Sequence, residues 1–73
     1  MPDSIIASSI ILNGDPFPLA ADTPLVALLE RLEMRRGRVA VEINREIVPK
    51  ANYDVTVVRA GDYVEIINFV GGG

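Results

Sequence analysis

Four leucines recur at helical spacing near the middle of the chain. They fall at i, i+3, i+4 and i+7, which places them on one stripe of a helix: Leu25, Leu28, Leu29 and Leu32. Asp22-Thr23-Pro24 precedes the stripe and is typical of a helix start, because a side-chain oxygen caps free N–H groups and proline suits the first helical position. We therefore predict a helix over residues 24–36, ended by Gly37.

Strands are predicted where apolar and polar residues alternate. Residues 39–43 have the period of two that is typical of a strand with one buried face. The isoleucine-rich residues 5–12 end at Asn13-Gly14, a pair that tolerates positive φ and predicts a tight turn into a second strand over residues 17–20. Because Pro16 and Pro18 cannot donate to a ladder, we expect that second strand at a sheet edge.

The second half of the chain is predicted to contain three more strands. Residues 44–46 form a turn into a short strand at 47–48, Pro49 ends it, and an irregular turn follows over 51–54. Gly61-Asp62 begins a last strand over 63–70. One helix covers only one face of a sheet, so we predict an α+β fold: a mixed sheet of four to five strands with one helix on one face, its first and last strands adjacent. This is the β-grasp, or ubiquitin-like, fold. The predicted core contains Leu25, Leu28, Leu29, Leu32, Val41, Ile43, Val64 and Ile66.

Composition narrows the functional classes. A chain of 73 residues with 49% apolar residues has room for one core, so we predict a single domain over residues 1–73. It contains no Cys and no His, which excludes disulfides, thiolate chemistry and imidazole catalysis and argues against zinc. The net charge of -3 and the absence of Trp argue against nucleic-acid binding. No apolar run is long enough to cross a membrane. We expect a cytoplasmic protein that is not an enzyme and binds no metal or cofactor.

Charged residues suggest structural rather than catalytic roles. Four aspartates lie at predicted turns, where a short carboxylate bonds the backbone: Asp15, Asp22, Asp54 and Asp62. Arg35, Arg36 and Arg38 follow the helix, and we expect them to complement the helix dipole, with a partner contact as the alternative.

The last strand carries apolar residues on both faces. Val64 and Ile66 share one face, while Tyr63, Ile67 and Phe69 share the other. If the helix covers one face, the second set is exposed and is a candidate docking surface. The alternative is that residues 51–54 or the N-terminal extension shield it.

Three glycines, Gly71-Gly72-Gly73, end the chain directly after the last strand. Without side chains they suit a flexible tail that enters a narrow channel, where a partner holds the backbone closely. Three extended residues reach about 10 Å, which brings the terminal carboxylate into another protein's active site. A carboxylate is a poor electrophile, so activation requires adenylation by that partner. Taken alone, such a tract is better explained by an idle flexible tail.

Four groups of residues, taken in order, match a known family pattern. They are Ile11-Leu12-Asn13-Gly14; Thr23-Pro24-Leu25 with Leu28-Leu29; Val39-Ala40-Val41-Glu42-Ile43-Asn44 with Ile47-Val48-Pro49; and Gly61-Asp62-Tyr63-Val64-Glu65-Ile66-Ile67-Asn68-Phe69-Val70-Gly71-Gly72-Gly73. Over residues 10–73 the chain thus resembles the ThiS family of sulfur carrier proteins in thiamin biosynthesis. The leader before Ile10 departs modestly from the family pattern.

The resemblance implies a sequence of reactions at Gly73. A ThiF-like adenylyltransferase would adenylate the Gly73 carboxylate with ATP, and a cysteine desulfurase or equivalent donor would supply the sulfur of a thiocarboxylate. A ThiG-like thiazole synthase would then take that sulfur for the thiazole ring of thiamin. The alternatives are a MoaD-like carrier that serves molybdopterin synthesis, a ubiquitin-like modifier of lysines, and a β-grasp binding module with an idle tail.

Overall fold

The computed structural model describes residues 8–69. In chain order the elements are β1 (Ser9–Leu12), β2 (Asp15–Pro18), β3 (Thr23–Pro24), α1 (Leu25–Arg31), β4 (Val39–Ile43), β5 (Glu46–Ile47), β6 (Val57–Val58) and β7 (Tyr63–Asn68). Two 3₁₀ segments, Arg36–Arg38 and Lys50–Val55, connect them.

Five strands form one mixed sheet in the order β2-β1-β7-β4-β5. The first and last strands, β1 and β7, are parallel neighbours, and the other pairs of this sheet are antiparallel. β3 and β6 form a separate two-stranded pair. The predicted β-grasp architecture is confirmed, with β7 at the centre of the sheet and β2 at an edge.

The core lies between α1 and one face of the sheet. Six of the eight predicted core residues are buried, and Leu32 and Ile43 are partly buried against them. The sequence patterns missed Tyr53, which is 1% exposed and whose hydroxyl donates to the Val39 carbonyl at 3.3 Å. Residues 51–54, predicted as an irregular turn, therefore place a large aromatic ring in the core.

The helix is shorter than predicted, because it ends at Arg31 rather than at residue 36. Glu33 has a φ of 59°, its N–H donates to Glu30, and the N–H of Met34 donates to Leu29. These two bonds form a Schellman motif, in which a left-handed residue closes the last turn. Gly37 does not end the helix; it lies in the following 3₁₀ segment.

The start of the helix also differs from the prediction. Pro24 is extended, with φ -59° and ψ 141°, and no side chain caps the helix. Thr23 and Pro24 instead pair with β6, and the Leu25 N–H donates to the Thr56 carbonyl at 2.9 Å. The residue before β6 thus satisfies one of the N–H groups that the first turn of a helix leaves unpaired.

Both hairpin turns use two residues with positive φ. Asn13 and Gly14 have φ of 50° and 91°, and Asn44 and Arg45 have φ of 53° and 72°. These values are those of type I′ turns, whose twist matches that of the strands they join. Because the first turn is so short, the second strand occupies residues 15–18 rather than 17–20.

The two turn asparagines also hold the central strand through their side chains. Asn13 accepts the Ile66 N–H at 2.8 Å and donates to the Ile66 carbonyl at 3.3 Å. Asn44 accepts the Tyr63 N–H at 3.0 Å and donates to the Asp62 carboxylate at 3.0 Å. Each asparagine therefore closes a turn and bonds β7, one on each edge of that strand.

We predict that Asn13→Gly lowers the free energy of unfolding by about 1–3 kcal/mol. Glycine tolerates the positive φ, so the loss comes from the two hydrogen bonds to Ile66. Urea unfolding of the variant measures it. Arg45→Gly, also at a position of positive φ but without such bonds, is the control and is expected not to lower stability, because glycine relieves the left-handed conformation. Equal effects of the two changes would contradict this role of Asn13.

Candidate functional site

The face of the sheet opposite α1 carries exposed apolar side chains. Tyr63, Ile67 and Phe69 are 63%, 62% and 51% exposed, while Val64 and Ile66 are buried under the helix. The predicted division of the last strand into two faces is confirmed. Residues 51–54 do not shield these side chains, because Tyr53 points into the core.

Neighbouring strands extend this open face. Ile67 lies opposite Ala40, and Glu65 lies opposite Glu42. On the far side of β4, Glu42 lies opposite Ile47, which is 74% exposed. Since residues opposite each other share a face, Ile47 belongs to the same surface. The sequence patterns missed this residue, because its face depends on the register of the second hairpin.

The end of β7 lies beside the first 3₁₀ segment. The Phe69 N–H donates to the Arg38 carbonyl at 2.7 Å, which extends the antiparallel ladder one residue beyond β7. Four residues follow Phe69 and end at Gly73. The predicted tail, Gly71 and Gly72, and the predicted modification site, Gly73, lie outside the described residues.

Arg35, Arg36 and Arg38 do not complement the helix dipole as predicted, because α1 ends at Arg31. Arg36 instead forms a two-pronged ion pair with Asp54, at 2.7 and 3.1 Å, and its guanidinium lies 5.9 Å from the centre of the Tyr53 ring. The hydrogen bond from Arg36 lowers the pKa of Asp54 below its usual value. Both partners are largely exposed, so the pair holds the two 3₁₀ segments together without contributing much stability.

Two other aspartates that were predicted to lie at turns, Asp62 and Asp22, contact Arg59. Asp62 accepts the Arg59 N–H at 2.8 Å, as predicted for a turn aspartate. Asp22 has a φ of 59° and lies 4.0 Å from the Arg59 guanidinium. Across residues 8–69, His, Cys, Asp and Glu do not gather in any group of three or more that would hold a metal ion. No helix in this part of the chain has the length and apolar character needed to cross a membrane.

Comparison with known proteins places this sheet and its terminal extension in a family. The model of the ThiS family matches residues 10–73. The chain belongs to the ThiS family. The crystal structure of the thiamine biosynthesis protein ThiS from Geobacter metallireducens superimposes with a TM-score of 0.76 at 34% identity, covering 89% of this chain and 99% of that one. The predicted resemblance and fold are confirmed.

Similar sequences occur both as proteins of about this length and as parts of longer proteins. The sulfur carrier protein ThiS of Escherichia coli K12 is 31% identical over 64 residues, which are 88% of this chain and 97% of that protein. The thiazole synthase of Paramagnetospirillum magneticum is 42% identical over 64 residues, but these are only 20% of its length. The chain thus spans about a fifth of some relatives and nearly the whole of others.

Proposed function

We propose that this chain is a sulfur carrier of thiamin biosynthesis and that its Gly73 carboxylate holds the sulfur as a thiocarboxylate. The observation that carries the proposal is the family match, which runs from residue 10 through Gly73. The E. coli relative that it matches over nearly its full length is named as a sulfur carrier. The central strand β7 ends at Asn68, so five residues join the sheet to that carboxylate.

The chemistry requires a partner at each step. A Gly73 carboxylate oxygen attacks the α-phosphorus of ATP, and pyrophosphate leaves, which gives an acyl adenylate. The outer sulfur of a persulfide on a cysteine desulfurase or another donor then displaces AMP, which gives an acyl disulfide. A thiol attacks the donor's sulfur in that bond, forms a disulfide with it and releases the thiocarboxylate. We assign the first step to a ThiF-like adenylyltransferase, called the activating enzyme below. This chain contributes the carboxylate and the folded body that partners bind.

The acceptor of the sulfur is proposed to be a ThiG-like thiazole synthase. A stretch similar to this chain forms about a fifth of the thiazole synthases of Paramagnetospirillum magneticum and Magnetococcus marinus. A carrier and an enzyme that occur in one polypeptide are reasonable partners when they are separate. Offering the thiocarboxylated chain to thiazole synthase and, in parallel, to a molybdopterin precursor with its synthase tests this choice. Sulfur transfer only to the second acceptor would overturn it.

We also propose that Tyr63, Ile67 and Phe69 dock on these partners. All three are exposed and apolar, and one residue separates Phe69 from Gly71. An apolar surface at this place lets a partner bind the body while it receives the terminal carboxylate.

We predict that Ile67→Ser lowers kcat/KM for thiocarboxylate formation by about tenfold or more, because it removes an apolar contact from the centre of this surface. The melting temperature is expected to change little, since the side chain is exposed. Val55→Ser removes an apolar side chain that is 77% exposed and lies outside the sheet, so it is the matched control. A similar kcat/KM for both variants would exclude docking through Ile67.

A further inference from the structure

The two edges of β7 are paired over different lengths. On the β4 edge, bonds run from the Tyr63 carbonyl, which accepts the Asn44 N–H at 2.7 Å, to the Phe69 N–H at Arg38. On the β1 edge the strand pairing ends at Val64, whose carbonyl accepts the Asn13 N–H at 2.9 Å. The side chain of Asn13 adds the two bonds at Ile66 and ends the pairing there.

Asn68 is therefore the first residue whose backbone faces an open edge. In an antiparallel pair successive residues direct their N–H and C=O groups to opposite edges. Since Phe69 bonds to Arg38 on the β4 edge, the N–H and C=O of Asn68 point to the β1 edge. Asn68 is exposed, and within residues 8–69 nothing pairs with its backbone on that edge.

The outer edges of the sheet are protected in ways that this one is not. The β2 edge carries Pro16 and Pro18, and β5 at the other edge is only two residues long. Prolines and very short strands both discourage pairing with another chain. The unprotected backbone thus lies on the central strand, directly before the tail.

We propose that the activating enzyme adds an extended segment of its own backbone to β7 at Asn68, on the edge that β1 leaves open. This inference rests on the proposed function. Backbone pairing suits a tail of glycines, which offers a partner only N–H and C=O groups. Gly73 follows Asn68 by five residues, about 17 Å of extended chain. Fixing the register at Asn68 therefore determines where the carboxylate lies in the partner.

The test compares Asn68→Pro with Asn68→Ala as substrates of the activating enzyme. Both lose the side chain, but only proline loses the N–H and places a ring on the open edge, where the fold itself makes no bond. We expect kcat/KM for thiocarboxylate formation to be at least about tenfold lower for proline than for alanine, with similar melting temperatures. Values within about twofold of each other would overturn the proposal.

Two further measurements cover the cases in which Asn68→Pro does not fold or the chain forms a dimer. If Asn68→Pro does not fold, a synthetic chain with an ester in place of the Asn68 amide removes that N–H without adding a ring, although it also weakens the Ile67 carbonyl as an acceptor. Compared with the all-amide chain at a temperature where both are folded, a kcat/KM about threefold or more lower supports the proposal, and a smaller loss overturns it. A dimer of the unaltered chain that Asn68→Pro disrupts would assign the edge to a second copy and overturn it. If the unaltered chain is never thiocarboxylated, the proposed function fails, and this inference fails with it.

Discussion

Removing Gly72 and Gly73 is expected to abolish thiocarboxylate formation while the free energy of unfolding changes by less than about 0.5 kcal/mol. Within residues 8–69, the last bond at the end of β7 is the one from the Phe69 N–H to the Arg38 carbonyl, and the deletion leaves it intact. The shortened chain ends at Gly71, so the partner's active site receives no carboxylate at the required reach. Intact mass spectrometry after incubation with ATP, activating enzyme and sulfur donor measures the modification, and urea unfolding measures stability.

The matched control for this deletion removes two residues from the other terminus, Pro2 and Asp3. We expect that variant to accept sulfur as the unaltered chain does. Sulfur transfer at the normal rate by the C-terminal deletion would contradict the proposed function and favour a binding module with an idle tail. A modifier of lysines would instead appear as larger conjugates in a cell lysate, and these would disappear with the deletion.

Leu28→Ala is expected to lower the free energy of unfolding by about 2–5 kcal/mol, which is a large part of the stability of so small a domain. Leu28 is 0% exposed and lies in the cluster that includes Leu25, Val41 and Val64. Alanine favours helix at least as well as leucine does, so the loss comes from the cavity and the lost apolar burial. Urea unfolding of the purified variant provides the measurement.

Glu30→Ala is the control for Leu28→Ala, because it lies on the exposed side of the same helix. We expect it to change stability by less than about 0.5 kcal/mol. At a temperature where the Leu28 variant is folded, each folded molecule should still accept sulfur at Gly73. A loss of modification larger than the loss of folded protein would contradict the separation of core from chemistry.

Local patterns predicted the elements whose causes are local. The leucine stripe, the positive-φ turn at Asn13-Gly14 and the alternation in β4 each determine their structure within a few residues, and all are found. The predicted end of the helix was wrong. The left-handed residue that ends it is Glu33, whereas the sequence pattern pointed to Gly37, because glycine is the usual residue in that conformation. Tyr53 was missed because its 3₁₀ helix has neither helical nor strand spacing.

For the candidate site, too, the features that depend on nearby residues were predicted and those that depend on distant residues were not. The exposure of Tyr63, Ile67 and Phe69 follows from the parity of one strand under a single helix. The bonds from Asn13 to Ile66 join residues 53 positions apart, and no local pattern indicates them. The open edge at Asn68 depends on where β1 ends relative to β7, which only the register shows. The role proposed for Gly73 comes from the family pattern, since a glycine tract alone is compatible with an idle tail.

Intact mass spectrometry of the unaltered chain tests the central claim most directly. After incubation with ATP, activating enzyme and sulfur donor, we predict a mass increase equal to the replacement of one oxygen by sulfur, with fragmentation assigning it to Gly73. A mass that stays unchanged while the same enzyme and donor modify an authentic ThiS protein would contradict it.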